Sequence, residues 1–240
     1  MAVGQATLSQ EEAEAWFFFC STVVQQNMRD FFHDTNNIIG VLTGYSEMIL
    51  NDPRGASSSR LQALQESANR FESLANPLIT ILRGSPHRAI PDVLNAPQFF
   101  QNVSMLREGA LRKRDTKLVT TVGHIPMGFD TDLPSLAAIS LAVLLEMQHS
   151  LTKAPQAPHI FDMVVSGEPN ELTIRWEVSH PLVLPEKLED WGRGWVMSRV
   201  HPLFIEGFQI ALRRLRADFV RESTVCWVLR CASLPMYMER

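Results

Sequence analysis

Phe31-Phe32-His33-Asp34-Thr35-Asn36-Asn37-Ile38-Ile39-Gly40-Val41-Leu42-Thr43-Gly44-Tyr45-Ser46-Glu47 lies inside a proline-free run from about residue 10 to residue 50, and the reading of that run decides the fold. Working outward, Phe17, Cys20, Val24, Met28, Phe31, Thr35, Ile38, Leu42, Tyr45 and Ile49 succeed one another at steps of three or four. Side chains at that spacing share one helical face, so the run predicts one long helix with an apolar stripe close to a coiled-coil seam. Asn51-Asp52-Pro53-Arg54-Gly55 and the serines after it predict a stop and a turn. A second stripe follows: Leu61, Leu64, Ala68, Phe71, Ala75, Leu78 and Leu82. It predicts a helix folded back on the first as an antiparallel hairpin, kinked near its end by Pro77.

A lone hairpin cannot cover both stripes, and Trp16, Phe18, Phe19 and Phe32 widen the apolar surface further. Two hairpins paired as a symmetric four-helix bundle would solve that burial problem, so a homodimer is expected. Packing of the hairpin on the rest of its own chain is the alternative. Gly84-Ser85-Pro86 to Pro91 reads as a linker. Beyond it the pattern is mixed. Helices are predicted at Phe99–Leu111, Leu133–Thr152 (strongly apolar, hence buried) and His201–Leu215. Strands are predicted at Lys117–Val122, His159–Val165, Leu172–Val178, Ala217–Arg221 and Val225–Ala232. The expected fold class is α+β: a helical hairpin at 10–85, then an α/β sandwich at 92–235.

The chain has 240 residues, with 26 acidic and 22 basic side chains. That balance argues against a nucleic-acid binder, which needs clustered positive charge. Residues 1–85 hold nine acidic and five basic residues, and residues 86–240 hold seventeen of each. The whole excess of negative charge therefore belongs to the hairpin, and partner docking there is expected to rest on shape and apolar contact rather than long-range attraction. Cys20, Cys226 and Cys231 have no metal-binding spacing and read as reduced thiols. His149, His159, His180 and His201 lack ligand spacing and read as surface or loop residues. Arg112-Lys113-Arg114 and Arg213-Arg214-Arg216 fall at predicted helix ends, where they complement helix dipoles or meet an acidic partner. The start lacks a basic region, and Leu133–Leu145 falls well short of the about 20 apolar residues a membrane span needs. A cytoplasmic location without membrane contact is expected.

His33 stands about 160° from its nearest stripe positions, Phe31 and Thr35. Its helical neighbours Arg29, Asp30, Asn36 and Asn37 are all polar, and Gly40 and Gly44 extend this strip. Residues 32–47 resemble the phosphoacceptor box of two-component histidine kinases, in the variant His-Asp-x-Asn-Asn followed by an apolar run and Gly-Tyr. The resemblance implies that His33 accepts a phosphoryl group, that Asp34 fixes its tautomer, and that Asn37, supported by Asn36, orients a water toward a phosphoaspartate. Arg29, Asp30, Gly40 and Gly44 would form the partner-binding surface, the glycines allowing close approach at a helix cost of about 1 kcal/mol each.

The second half has the element order of a histidine-kinase ATPase domain but not its nucleotide boxes. Met147 stands where such kinases carry a metal-binding asparagine. Val178-Ser179-His180-Pro181-Leu182 has neither the aspartate nor the glycines of the adenine box, and Trp191-Gly192-Arg193-Gly194-Trp195 retains only a weak glycine pair. An intact hairpin joined to a degenerate ATPase-like domain resembles the pseudokinase-type histidine phosphotransferases of bacterial phosphorelays. That resemblance implies response-regulator receiver domains as partners. It implies no cofactor or metal of this chain's own, the Mg²⁺ belonging to the receiver. Two alternatives remain: an ATP-dependent histidine kinase with an atypical nucleotide site, and a non-catalytic receiver-binding scaffold.

Overall fold

A computed structural model describes residues 7–51, 57–89, 91–126, 128–151, 159–178 and 201–234. Helices α1 (Gln10–Asn51) and α2 (Ser58–Leu82) form the hairpin. The expected turn at 52–55, the adenine-box equivalent at 179–182 with His180, and the glycine pair at 191–195 lie outside the described residues. Helix α1 opens on a reciprocal cap: Glu12 N donates to Ser9 Oγ and Ser9 N donates to Glu12 Oε2. Helix α2 runs through the buried Pro77 to Leu82.

The remaining elements are β1 (Asp92–Val93), α3 (Ala96–Arg112), β2 (Thr116–Val122), β3 (Asp130–Thr131), α4 (Leu133–Leu151), β4 (His159–Glu168), β5 (Glu171–Val178), α5 (Pro202–Leu215), β6 (Ala217–Ser223) and β7 (Cys226–Ala232). Five strands form one sheet in the order β2-β4-β5-β7-β6, with β2 parallel to β4 and the other pairs antiparallel. β1 and β3 form a separate two-residue pair too short to leave a periodic signal. Alternation along β4 shows how the layers sit. Phe161, Met163 and Val165 are buried while Ile160 and Val164 are exposed, so helices cover one sheet face. α4 is enclosed nearly all round, as its continuous run of apolar residues demands; the thiol of Cys231 packs in the same core, whereas Cys226 is buried on the opposite face of the sheet.

The hairpin is not free of this domain. The first third of α1 crosses α5, with Phe19 edge-on to Phe204 and Phe208 at ring distances of 5.1 and 5.5 Å. Gly207 permits the crossing, since a methyl there would collide with the Ala15 backbone and Phe19 Cβ. Below it lies a buried polar hub. Arg214 Nε donates to Asp132 Oδ2 at 2.9 Å, its NH groups donate to the carbonyls of Ser85 and Arg88, and its guanidinium lies 4.2 Å from the Trp16 ring centre. Trp16 Nε1 donates to Ser135 at 3.1 Å. The linker is thus pinned at both Ser85 and Arg88.

Three expectations are corrected here. Phe17, placed on the α1 stripe, is 59% exposed, while Trp16, Phe19 and Val23 are buried. The reason is that this end of α1 packs on α5 rather than on α2, which selects different positions. Arg214 is a buried ion-pair partner rather than a dipole-complementing surface residue. His159 is buried at the start of β4 rather than on the surface. Toward the hairpin tip, Phe32, Ile39, Met48, Leu50, Leu61 and Phe71 remain exposed. Own-chain packing therefore accounts for the base of the hairpin only.

Candidate functional site

Asp34 is placed by two helices. It follows His33 on α1, and its carboxylate reaches Gly109 of α3, where an added Cβ would stand 2.6 Å from Asp34 Oδ2. No side chain larger than hydrogen fits there without displacing the carboxylate. From this position Asp34 Oδ1 lies 3.0 Å from His33 Nδ1. A carboxylate can only accept, so the bond places the imidazole hydrogen on Nδ1 and leaves the Nε2 lone pair available. The His33 side chain is 53% exposed and that of Asp34 is 15% exposed. Open, nucleophilic nitrogen on one side and a sheltered orienting carboxylate on the other is the arrangement that nucleophilic catalysis by histidine requires.

His33 also borders a cleft of about 510 Å³ between three helices. From α1 come Gln26, Arg29, Asp30 and His33, spaced three and four apart and so on one face. The facing wall is the C-terminal half of α3, with Arg107 and Ala110, and the turn that follows it, with Lys113 and Arg114; Leu145, Gln148 and His149 of α4 complete the lining. Arg107 is fully buried and holds this wall to α1, donating 3.0 Å bonds to Asn27 Oδ1 and Asp30 Oδ2. Burial pulls its guanidinium below the ordinary arginine range, and the Asp30 carboxylate opposes that pull. Asn27 in turn donates to the Val23 carbonyl at 2.7 Å.

The structure places the other sequence candidates as follows. Asn36 and Asn37 are exposed on the His33 side of α1, beyond the cleft lining. Gly40 and Gly44 are exposed, and a Cβ at either would meet nothing within 4 Å. Arg29 is exposed beside the cleft, whereas Asp30, expected to face a partner, is held by Arg107 of its own chain. Met147 is fully buried in the core. Among the described residues, no group of three or more His, Cys, Asp or Glu could hold a metal ion, and no helix is long and apolar enough to cross a membrane.

Sequence reasoning missed α3 as part of the site. Two signals were available. Arg107 falls on the apolar stripe Phe100, Val103, Leu106, Ala110, and a charge on a buried stripe needs a partner. Gly109 sits inside a helix, where glycine calls for a packing reason. The charge sums of the two halves did not show that folding brings Lys113 and Arg114 into the lining of the same cleft as His33.

No protein-family model matches the sequence, and no curated protein matches it. Solved structures are similar in fold. The Acinetobacter baumannii histidine kinase AdeS aligns at 11% identity over 85% of this chain and 98% of its own, with a TM-score of 0.45. Histidine kinase ThkA, solved in complex with the response regulator protein TrrA, aligns at 14% identity over 85% of this chain and 60% of its own, with a TM-score of 0.44. A bacterial phosphotransferase aligns at 13% identity over 95% of this chain and 99% of its own, with a TM-score of 0.41.

Proposed function

We propose that this protein is a histidine phosphotransferase of a two-component phosphorelay. It takes a phosphoryl group from the phosphoaspartate of one response-regulator receiver domain onto His33 and passes it to the aspartate of another. The observation that carries this reading is the exposed His33 imidazole, midway along a long helix, with Nδ1 fixed by Asp34. In the transfer, the Nε2 lone pair attacks phosphorus in line. The N–P bond forms as the P–O bond to the receiver carboxylate breaks, its electron pair leaving on that carboxylate. The ring becomes cationic, and Asp34 stabilises it through the Nδ1–H bond without taking the proton. Reversal onto a second receiver restores neutral His33. Asn37, with Asn36 beside it, would orient groups of the docked receiver.

The apolar tip of the hairpin supports the homodimer half of the proposal, since a second copy would cover Ile39, Leu50 and Leu61 as a four-helix bundle. The ATPase-like domain is read as degenerate because Met147 is buried where a ligand-facing amide is needed.

Incubation with a phosphorylated receiver should label the wild-type chain and not His33→Ala. A wild-type chain that stays unlabelled with every receiver of its source organism overturns the relay. Autophosphorylation from ATP would favour the kinase alternative, and receiver binding unaffected by His33→Ala, without label in wild type, the scaffold.

A further inference from the structure

The cleft beside His33 carries a charge pattern that neither ATPase degeneracy nor hairpin packing explains. Four of its lining residues are basic (Arg29, Arg107, Lys113 and Arg114) and one, Asp30, is acidic. The Asp30 carboxylate is taken up by Arg107 at 3.0 Å, so among the described residues Arg29, Lys113 and Arg114 face the cleft without a further acid in its lining. Arg107 Nε, buried, has no hydrogen-bond partner. A cluster of cations with a buried N–H donor is the complement of an anion, and a buried donor without a partner is costly unless a ligand supplies an acceptor. Among the described residues the hydrophobic lining consists of two side chains, Ala110 and Leu145, too little for a purine to be sandwiched.

We propose that this cleft is a phosphoryl-binding pocket in which Lys113 and Arg114 of the α/β domain hold the dianionic phosphate carried by His33. The inference rests on the relay reading of His33 and deepens it by assigning the second domain a part in the transfer. Lys113 and Arg114 make and break no bond. They are positioning residues that favour the phosphorylated imidazole and the charge spread over the three peripheral oxygens during transfer. Both are exposed at the end of α3, with Arg114 tied to the Gln148 carbonyl at 3.2 Å, so their removal leaves the core intact. The same chemistry could be offered by the polyphosphate tail of a nucleotide, which the test separates.

Inorganic phosphate, and separately AMPPNP, is titrated into protein carrying ¹⁵N-histidine while the His33 ring resonances are followed. Phosphate should bind saturably. The Lys113→Ala/Arg114→Ala double variant should raise its apparent Kd at least fivefold, and the charge-conserving Lys113→Arg/Arg114→Lys should keep it within twofold. In the same double alanine variant, the equilibrium share of label on His33 against a phosphorylated receiver should fall at least fivefold. Phosphate binding unchanged by the loss of both cations overturns the pocket, as does AMPPNP binding that needs the adenine. If a receiver labels His33 but the double variant alters neither quantity, the pocket falls and the relay stands. If no receiver labels His33 while phosphate binding still depends on the two cations, the anion site is supported and the relay falls.

Discussion

Gly109→Ala is the sharpest single test of how α3 controls His33. The added Cβ would lie 2.6 Å from Asp34 Oδ2 and 3.4 Å from both Cγ and Oδ1. Ordinary carbon–oxygen contact lies about 0.7 Å beyond the nearest of these, and the colliding atom ends a rotatable side chain, so Asp34 turns away rather than α3 shifting. Turning breaks the 3.0 Å contact to His33 Nδ1. A charge-assisted hydrogen bond contributes about 1.5–3 kcal/mol when enclosed. With His33 half open to water, the low end applies, about 1.4 kcal/mol, or roughly tenfold in rate. Alanine meanwhile favours the helix by up to about 1 kcal/mol, so global stability should change little. Two measurements read the effect: the rate of His33 phosphorylation by phosphoramidate, which needs no receiver, and the tautomer ratio of His33 from its ring nitrogen shifts. We expect about tenfold slower labelling and loss of the Nδ1–H preference. Because both changes act through one contact, Gly109→Ala added to Asp34→Asn should cost nothing further. An unchanged rate and tautomer ratio in Gly109→Ala, or full additivity with Asp34→Asn, would refute the reasoning.

Gly40→Ala and Gly44→Ala should each stabilise α1 by about 0.5–1 kcal/mol in urea melts, since a Cβ there meets nothing, and each should slow phosphoryl transfer from a receiver by raising KM with little effect on labelling by phosphoramidate. Arg214→Ala removes the buried cation from Asp132, 1% exposed, and should destabilise the fold by about 3–5 kcal/mol, of which Asp132→Ala in the same chain should recover a part. Burial pushes the thiols of Cys20, Cys226 and Cys231 above the ordinary range, so all three should resist alkylation at pH 8 in the native protein and react once it is unfolded. The proposed bundle interface at the hairpin tip predicts that Leu61→Lys together with Ile39→Lys shifts the sedimenting species from dimer to monomer.

The helices and the five main strands were legible because each carries a period long enough to read: the steps of three and four in α1 and α2, and the alternation in β4 and β5. What periodicity could not tell is which body each face meets. Phe17 and Phe19 are equally apolar in sequence, and only the crossing with α5 decides that Phe19 is buried. The site divides the same way. His33, Asp34, Asn37 and the glycines are local in sequence and could be found as one motif. Gly109 and Arg107 could not, because they act on residues up to 80 positions away. A buried arginine and a helical glycine each announced an unknown neighbour, without saying that the neighbour was the helix that carries His33.

That long-range packing also bears on the choice between relay and kinase. A kinase must bring the γ-phosphate of a nucleotide held in its ATPase domain to the histidine nitrogen, and any such motion that lifted the α/β domain off the base of the hairpin would be opposed by the packing there. Leaving exposes Trp16, Phe19, Phe204 and Phe208, all now at most 1% exposed. At about 2 kcal/mol for each large apolar side chain, that is roughly 8 kcal/mol. The Arg214–Asp132 pair and its carbonyl bonds to the linker would break as well. The total reaches the 5–15 kcal/mol that stabilises a typical domain, so a swung-out state would be populated about as rarely as the unfolded one. A relay needs no such excursion, because the donor arrives on another protein. Fixed in place, α3 keeps Arg107 on Asp30, Gly109 against Asp34, and Lys113 and Arg114 at the His33 cleft. On the proposed reading the α/β domain is thereby the second wall of the His33 cleft, and its fixed packing is what makes that wall useful.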